Sequence, residues 1–286
     1  MRLTTKIITG IILSIFVLPL LLIIGYSFTD RRSYRSQSYT MHDIKLPPSE
    51  QIGINIDKCR VIKFEEESKY HYHRAINGEN GLFVLPVQSA KESNKLFIPE
   101  TLNDYTSIQV NNDTLVVRIK IDEIGEKYGK KDESLEKRQR QGVGYRITLS
   151  GFNLYLRTSK VNIVNQLNDI QTHISNMETD SIKIYSLGEI TIDACKAHVI
   201  EPDSKRKITI RNSAAKTLNM DLDQVTDWRI ENCDIKERNY SGSRRNHIMT
   251  FSEKESGTIN WLPKNENAEL TMKFKGDSAQ IKYIIK

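Results

Sequence analysis

"ITIDACKAHVI" (residues 190–200) is followed, eighteen residues on, by "ITIRNSAAKTL" (residues 208–218). Whether these are two unrelated strands or two turns of one stacked array decides the fold. Continuing the step in both directions gives "LYLRTSKV" from Leu154, "THISNMET" from Thr172 and "WRIENCDI" from Trp228, so the starts lie 18, 18, 18 and 20 residues apart. Leu156, Ile174, Ile192, Ile210 and Ile230 then share one position that is always aliphatic. Self-similarity at a near-constant period is the mark of a repeat architecture and outranks local propensity.

The content of each unit says which repeat it is. Residues 190 and 192 alternate apolar with polar at the strand period of two, and β-branched residues dominate them. The next inward residue comes three along, at Ser159, Met177, Cys195, Ser213 and Cys233 in the successive units, so the alternation breaks once, at a corner. Just before it stand Thr158, Asn176, Ala194, Asn212 and Asn232. Asparagine accepts the left-handed backbone a corner requires, and stacked asparagines hydrogen-bond from coil to coil. With further apolar pairs such as Ile182 with Ile184 and Leu218 with Met220, a unit has no room for a helix. The expected fold is all-β: a short parallel β-solenoid of about five coils of 18–20 residues, rungs about 4.8 Å apart, flanked by antiparallel strands.

That register places Cys195, Ser213 and Cys233 in one inward stack. Two rungs separate the cysteines by roughly 9 to 10 Å, beyond the reach of a disulfide. Asp193, Arg211 and Glu231 fall on successive outward positions with alternating sign, as cross-strand pairs do. Thr172 and Thr179 stand where Leu154 and Val161, or Ile190 and Ala197, are apolar, which makes the second coil irregular. The 20-residue step implies a bulge near "NMDLDQVTD".

Outward from the coils, residues 7–28 form an uncharged run, "IITGIILSIFVLPLLLIIGYSF", flanked by Arg2 and Lys6 and by Arg31, Arg32 and Arg35. As a helix it is about 33 Å long, enough for a hydrocarbon core of about 30 Å. The competing reading is a cleaved signal, with Gly25 and Ser27 spaced like a cleavage site, but the run is longer than a signal core and lacks Ala-x-Ala. A single-pass signal-anchor with the C-terminal domain outside the cytoplasm is expected. Residues 1–35 carry +4 of the net +6, so the basic balance belongs to the anchor and no dense basic face for nucleic acid remains. Three cysteines are too few for a disulfide scaffold.

The expected organisation is an anchor at 1–35, a linker at 36–50, a β-strand region at 51–150, coils at 151–242 and capping strands at 243–286. Within the second region Asn111, Asn112 and Asp113 separate two alternating runs as a hairpin turn would. Residues 122–141 carry six acids and six bases and read as a solvated insertion, with helical turns around "DESLEKRQRQ". "HIMTFSEK", "GTINWLP" and "AELTMKFKG" read as strands covering the solenoid's last rung.

The stretch "IPETLNDYTSIQVNNDTLVVRI", then "YRITLSGFNLYLRTSKVNIV" and the short coils, resembles the auto-transporter adhesin head domain, or GIN domain, family. The matching features are the pair Pro99 and Glu100, a Tyr-x-x-Ile-x-Val strand from Tyr105 to Val110 and a Thr-Leu-x-Val strand from Thr114 to Val117, over roughly residues 50 to 245. The chain departs from that pattern in its charged insertion and in coils with few glycines. The resemblance implies an extracytoplasmic, β-rich, adhesin-like domain.

Chemical signatures are sparse. There is no Gly-x-Ser-x-Gly, phosphate-cradling glycine loop or Cys-x-x-Cys. His71 and His73 in "YHYHR" would share a strand face, but two histidines without a third ligand read as solvated surface rather than a metal site. His198, near Glu201, Pro202 and Asp203, reads as part of a turn. Catalytic, cofactor and metal residues are therefore none. The expected function is non-enzymatic: adhesin-like binding or envelope scaffolding, with the membrane as one partner through residues 7–28 and a glycan or envelope protein as another. Self-association into an envelope structure is the alternative, and a carbohydrate-active β-helix enzyme, with paired carboxylates on one outward face, the less favoured one.

Overall fold

The computed structural model describes residues 40–56, 59–67, 73–74, 81–89, 91, 94–128, 145–167, 170–252 and 257–275. Apart from Thr40 they belong to one compact unit, residues 41–131 and 145–286. Upstream of the repeat run β1 (Thr40–Lys45), β2 (Gln51–Asn55), β3 (Val61–Glu67), β4 (His73–Arg74), β5 (Gly81–Leu85), β6 (Lys95–Pro99), β7 (Thr106–Asn111) and β8 (Thr114–Lys120). Helix α1 (Ile121–Tyr128) and β9 (Tyr145–Ser150) follow. The repeat comprises β10 (Asn153–Arg157), β11 (Val161–Asn165), β12 (Gln171–Ser175), β13 (Glu178–Ser186), β14 (Ile190–Asp193), β15 (Lys196–Ser204), β16 (Lys207–Arg211), β17 (Ala214–Asp221), β18 (Asp227–Glu231) and β19 (Asp234–Gly242). Last come β20 (His247–Ser252), β21 (Thr258–Pro263) and β22 (Leu270–Lys275).

Each coil supplies one strand to each of two long sheets. The first runs β18-β16-β14-β12-β5-β10-β6-β2 and the second β21-β19-β17-β15-β13-β11-β3-β8-β7. Ile192 pairs with Ile174 and Ile210, and Ile210 with Ile230, in parallel register. Side chains from both sheets meet in one apolar core. The fold is thus an all-β solenoid of the expected pitch, and its aliphatic column is dry as far as Ile210, with Ile230 half-buried on the edge strand, because a strand buried on its inner face must place every second residue there.

The first coil corrects the expected register. β10 and β12 are not neighbours: β5 lies between them, so the column reads Leu156, Val84, Ile174. Counting along the chain cannot see a strand inserted from upstream. The corner of this coil also differs, because Thr158 is buried (4% exposed) while Ser159 faces solvent. Val161 pairs with Ile182, not with Thr179, so the first corner is shorter than the others.

Several upstream strands likewise prove to be rungs rather than antiparallel flanks. β3 pairs in parallel with β8 and β11, while β2 with β6, β6 with β10, and β7 with β8 pair antiparallel. The hairpin at Asn112 and Asp113 forms as expected, with Asn112 at φ 58°. The helix at the start of the charged insertion is α1, and Ile121 and Ile124 anchor it in the core, so this end of the segment is less solvated than its charge suggests. "DESLEKRQRQ" lies outside the described residues, as does the run 7–28. Among the described residues no helix is long and apolar enough to cross a membrane.

At the far end, β21 continues the second sheet in parallel with β19, while β20 and β22 form a separate parallel pair. β21 is therefore a further rung rather than a strand laid across the last one. The 20-residue step is absorbed in the turn between β17 and β18, where Leu222 and Val225 are buried.

Candidate functional site

From the second coil on, the second-sheet strand bends near its start. Burial along β13 and β15 follows the same order of exposed, intermediate, exposed, intermediate, buried, so the alternation slips by one residue. The ladder passes from Thr179 paired with Ala197 to Ser181 paired with Val199, then from Ala197 with Ala215 to Val199 with Thr217, and from Ala215 with Ile235 to Thr217 with Glu237. Asp180, His198, Lys216 and Lys236 thus stand out of the ladder at successive bends, all exposed. His198 is on a strand, correcting the turn expected there.

Stacking these bends with the preceding corners makes a trough of about 1090 Å3. Ser159, Thr179, Ser181, Ala197, Ala214 and Ala215 line it with small side chains, which is why it is open. Arg60, Lys160, Lys196, Lys216 and Lys236 enter it as cations, and Glu178, Asp180 and Asp234 as acids. His198 Nδ1 lies 3.4 Å from Asp180 Oδ1, but these side chains are 75% and 98% exposed, so neither is desolvated as a general acid or base would need.

Two other outward features frame this site. On the first sheet, Tyr155, Phe83 and His173 follow one another on adjacent rungs, the Phe83 ring stacked on Tyr155 at 5.3 Å and on His173 at 5.1 Å. Burial holds the His173 imidazole below its ordinary value, and Arg211 adds to this. These rings lie face to face, so their faces stabilise one another rather than lying open to a ligand. On the second sheet, burial and then the neighbouring Asp221 push the Asp203 carboxyl up, and Asp203 Oδ1 is buried without a hydrogen-bond partner. Asp221, however, is committed to Lys264, so the pair lacks a free base.

The remaining residues singled out in the sequence are not brought together. Asp193 pairs with Arg211 at 2.9 Å, and Glu231 pairs instead with Arg229 on its own strand. Asn212, donating to Asp193 at 3.0 Å, and Arg211 hold the Asp193 carboxyl below its ordinary range, which unsuits it as a proton donor. Cys195, Ser213 and Cys233 share the inward stack, and neither cysteine is in a disulfide. His73 lies on β4 beside β9, and His71 lies outside the described residues. Among the described residues no group of three or more His, Cys, Asp or Glu could hold a metal ion. The sequence reading missed the trough because its bends break the period within each strand, though the signal was present: residues 180, 198, 216 and 236 keep the coil step and are all polar.

No protein-family model matches the chain, and no curated protein matches it by sequence. Solved structures similar to it include a "putative adhesin" from Parabacteroides merdae, at 10% identity and TM-score 0.35, covering 82% of this chain and 98% of that one. A "putative adhesin" from Parabacteroides distasonis gives 11%, 0.38, 82% and 100% in the same order. A "putative lipid binding protein" from the same species gives 12%, 0.36, 83% and 98%. Values this low carry no functional argument.

Proposed function

We propose that this chain is a non-enzymatic, membrane-anchored binding protein whose solenoid stands outside the cytoplasm and holds an extended polymer of the cell envelope, a glycan strand or a protein segment, along its trough. The observation that carries the reading is the trough itself: it crosses consecutive rungs, is lined with small side chains and is rimmed by exposed charge. A cleft repeating at the rung spacing of about 4.8 Å suits a repeating ligand better than a compact one. Residues 7–28 supply the anchor and residues 29–50 the spacer.

The test uses the full chain in detergent against purified envelope polysaccharides. His198→Trp, an exposed change within the trough, is expected to block capture without altering the unfolding temperature. Shortening of the polymer on incubation would overturn the non-enzymatic reading. A reporter fused to the C-terminus and active only in the cytoplasm would overturn the topology.

A second reading, end-to-end self-association, is favoured by the terminal strands of the second sheet. β7 (TSIQVN) and β21 (TINWLP) contain no charge, and Val110 and Leu262 on them are 57% and 53% exposed. Edges are normally blunted by charge. Concentration-dependent light scattering that Leu262→Lys abolishes would support it.

A further inference from the structure

Resting on that reading, we propose that the trough takes an acidic polymer, a chain bearing carboxylate, sulfate or phosphate groups, gripped by Lys196, Lys216 and Lys236 with Lys160 and Arg60 at its other end. The cations arrive coil by coil. In the second sheet the rungs run β3, β11, β13, β15, β17, β19, and Arg60, Lys160, Lys196, Lys216 and Lys236 belong to or directly precede every one of these except β13. Successive rungs stand about 4.8 Å apart, so positive charge recurs along the trough at a step comparable with that of linked sugars.

These cations are also unquenched. Several basic side chains elsewhere on the solenoid are matched with carboxylates: Lys63 with Glu65, Lys183 with Glu201, Arg211 with Asp193 and Lys264 with Asp221. Among the described residues none of the trough's five cations makes an ion pair. Lone lysines such as Lys205 and Lys273 stand elsewhere on the surface, but among the described residues only in the trough do cations without an ion pair recur on successive rungs, where they are free to meet charge from outside together.

The acids do not cancel this. Glu178 and Asp180 sit together on β13, and Asp180 already faces His198. Beyond that rung Lys196, Lys216 and Lys236 are opposed by Asp234 alone. The lining also contains no aromatic ring apart from the His198 imidazole. A neutral sugar would find no stacking surface here, whereas an anionic one finds a donor on nearly every coil.

The full chain in detergent is titrated with fluorescent heparin, polygalacturonate and dextran of matched length. Heparin or polygalacturonate is expected to bind and dextran not, with affinity falling as salt rises. Lys216→Ala with Lys236→Ala should weaken binding about tenfold at low salt, whereas Lys205→Ala with Lys273→Ala, outside the trough and removing the same charge, should leave it unchanged. Preference for sulfate over carboxylate, or the reverse, identifies the anion and supports the proposal either way. Dextran bound in preference and blocked by His198→Trp would overturn the charge assignment but leave the trough reading standing. Acidic polymer bound with equal loss in both lysine pairs, and indifferent to His198→Trp, would overturn both.

Discussion

The corners are built from single residues in an expensive backbone state. Asn176, Ala194, Asn212 and Asn232 have φ of 56°, 53°, 51° and 52°. Their N–H groups reach the next coil, Asn176 to Asp193 O at 3.0 Å, Ala194 to Arg211 O at 3.1 Å and Asn212 to Glu231 O at 3.0 Å. Alanine is the misfit, since a Cβ in the left-handed region costs about 1 kcal/mol that asparagine partly recovers. Ala194→Asn is therefore expected to stabilise the chain by roughly 0.5 to 1 kcal/mol, seen as a higher urea midpoint with unchanged slope. One step inward, Ser213 Oγ accepts from the buried Cys195 N–H at 3.1 Å and donates to Arg211 O at 2.8 Å. Ser213→Ala orphans that N–H and should cost about 1 to 3 kcal/mol by the same measurement. The corner positions were legible because asparagine and small residues recur at the coil step. A second asparagine row was not read: Asn260 donates to Asn239, Asn239 to Asn219 and Asn219 to Glu201, at 2.7, 2.9 and 2.9 Å, with Lys183 on Glu201 beyond. Residues 183, 201, 219 and 239 do keep the coil step, with Asn260 twenty-one residues on, but outward positions vary in type and so hide their register.

Among the elements, the last strands are fastened at one point. Asp223, in the turn between β17 and β18, accepts from Ser243 N at 2.8 Å, Lies 3.1 Å from His247 Nε2 and pairs with Lys264 Nζ at 3.0 Å, joining segments on either side of β20 and β21. Gly242 permits this, since a Cβ there would meet His247 Nε2 at 2.5 Å. Burial alone would raise the Asp223 carboxyl, but the Ser243 N–H, Lys264, the Ser243 hydroxyl and His247 outweigh it and hold the group well below the usual carboxylate range. A carboxyl held down in the fold contributes stability above its unfolded value, about 4, and loses it as pH falls through the folded one. Asp223→Asn should thus lower stability by about 2 kcal/mol near pH 6, and the gap from the unmodified chain should narrow steadily below about pH 4, as measured by thermal unfolding across pH. The sequence announced these strands but not the fastening, because its members lie up to 41 residues apart with no period linking them.

In the whole molecule the repeat was legible wherever coils follow one another along the chain, from Thr172 to Gly242. It failed where the solenoid is completed by segments out of order. β5, with Leu82 and Val84 inward and Phe83 outward, has the same alternation as the coils, yet nothing in a chain-wise count says it belongs between β10 and β12. Pro202 shows a milder conflict: the β15 ladder to β17 stops at Ile200, whereas that to β13 continues to Ser204, as a residue without an N–H requires on one side only. The trough depends on the same stacking, because the charges that line it come from segments as distant as Arg60 and Lys236. The stacking order is tested most directly by oxidative coupling of paired outward substitutions in a Cys59→Ala background. Neighbouring rungs about 4.8 Å apart fall within the span of a disulfide and rungs twice as far do not. Phe83→Cys with His173→Cys, and Phe83→Cys with Tyr155→Cys, are predicted to close, while Tyr155→Cys with His173→Cys stays open; ready closure of that last pair, with the other two open, would contradict the account.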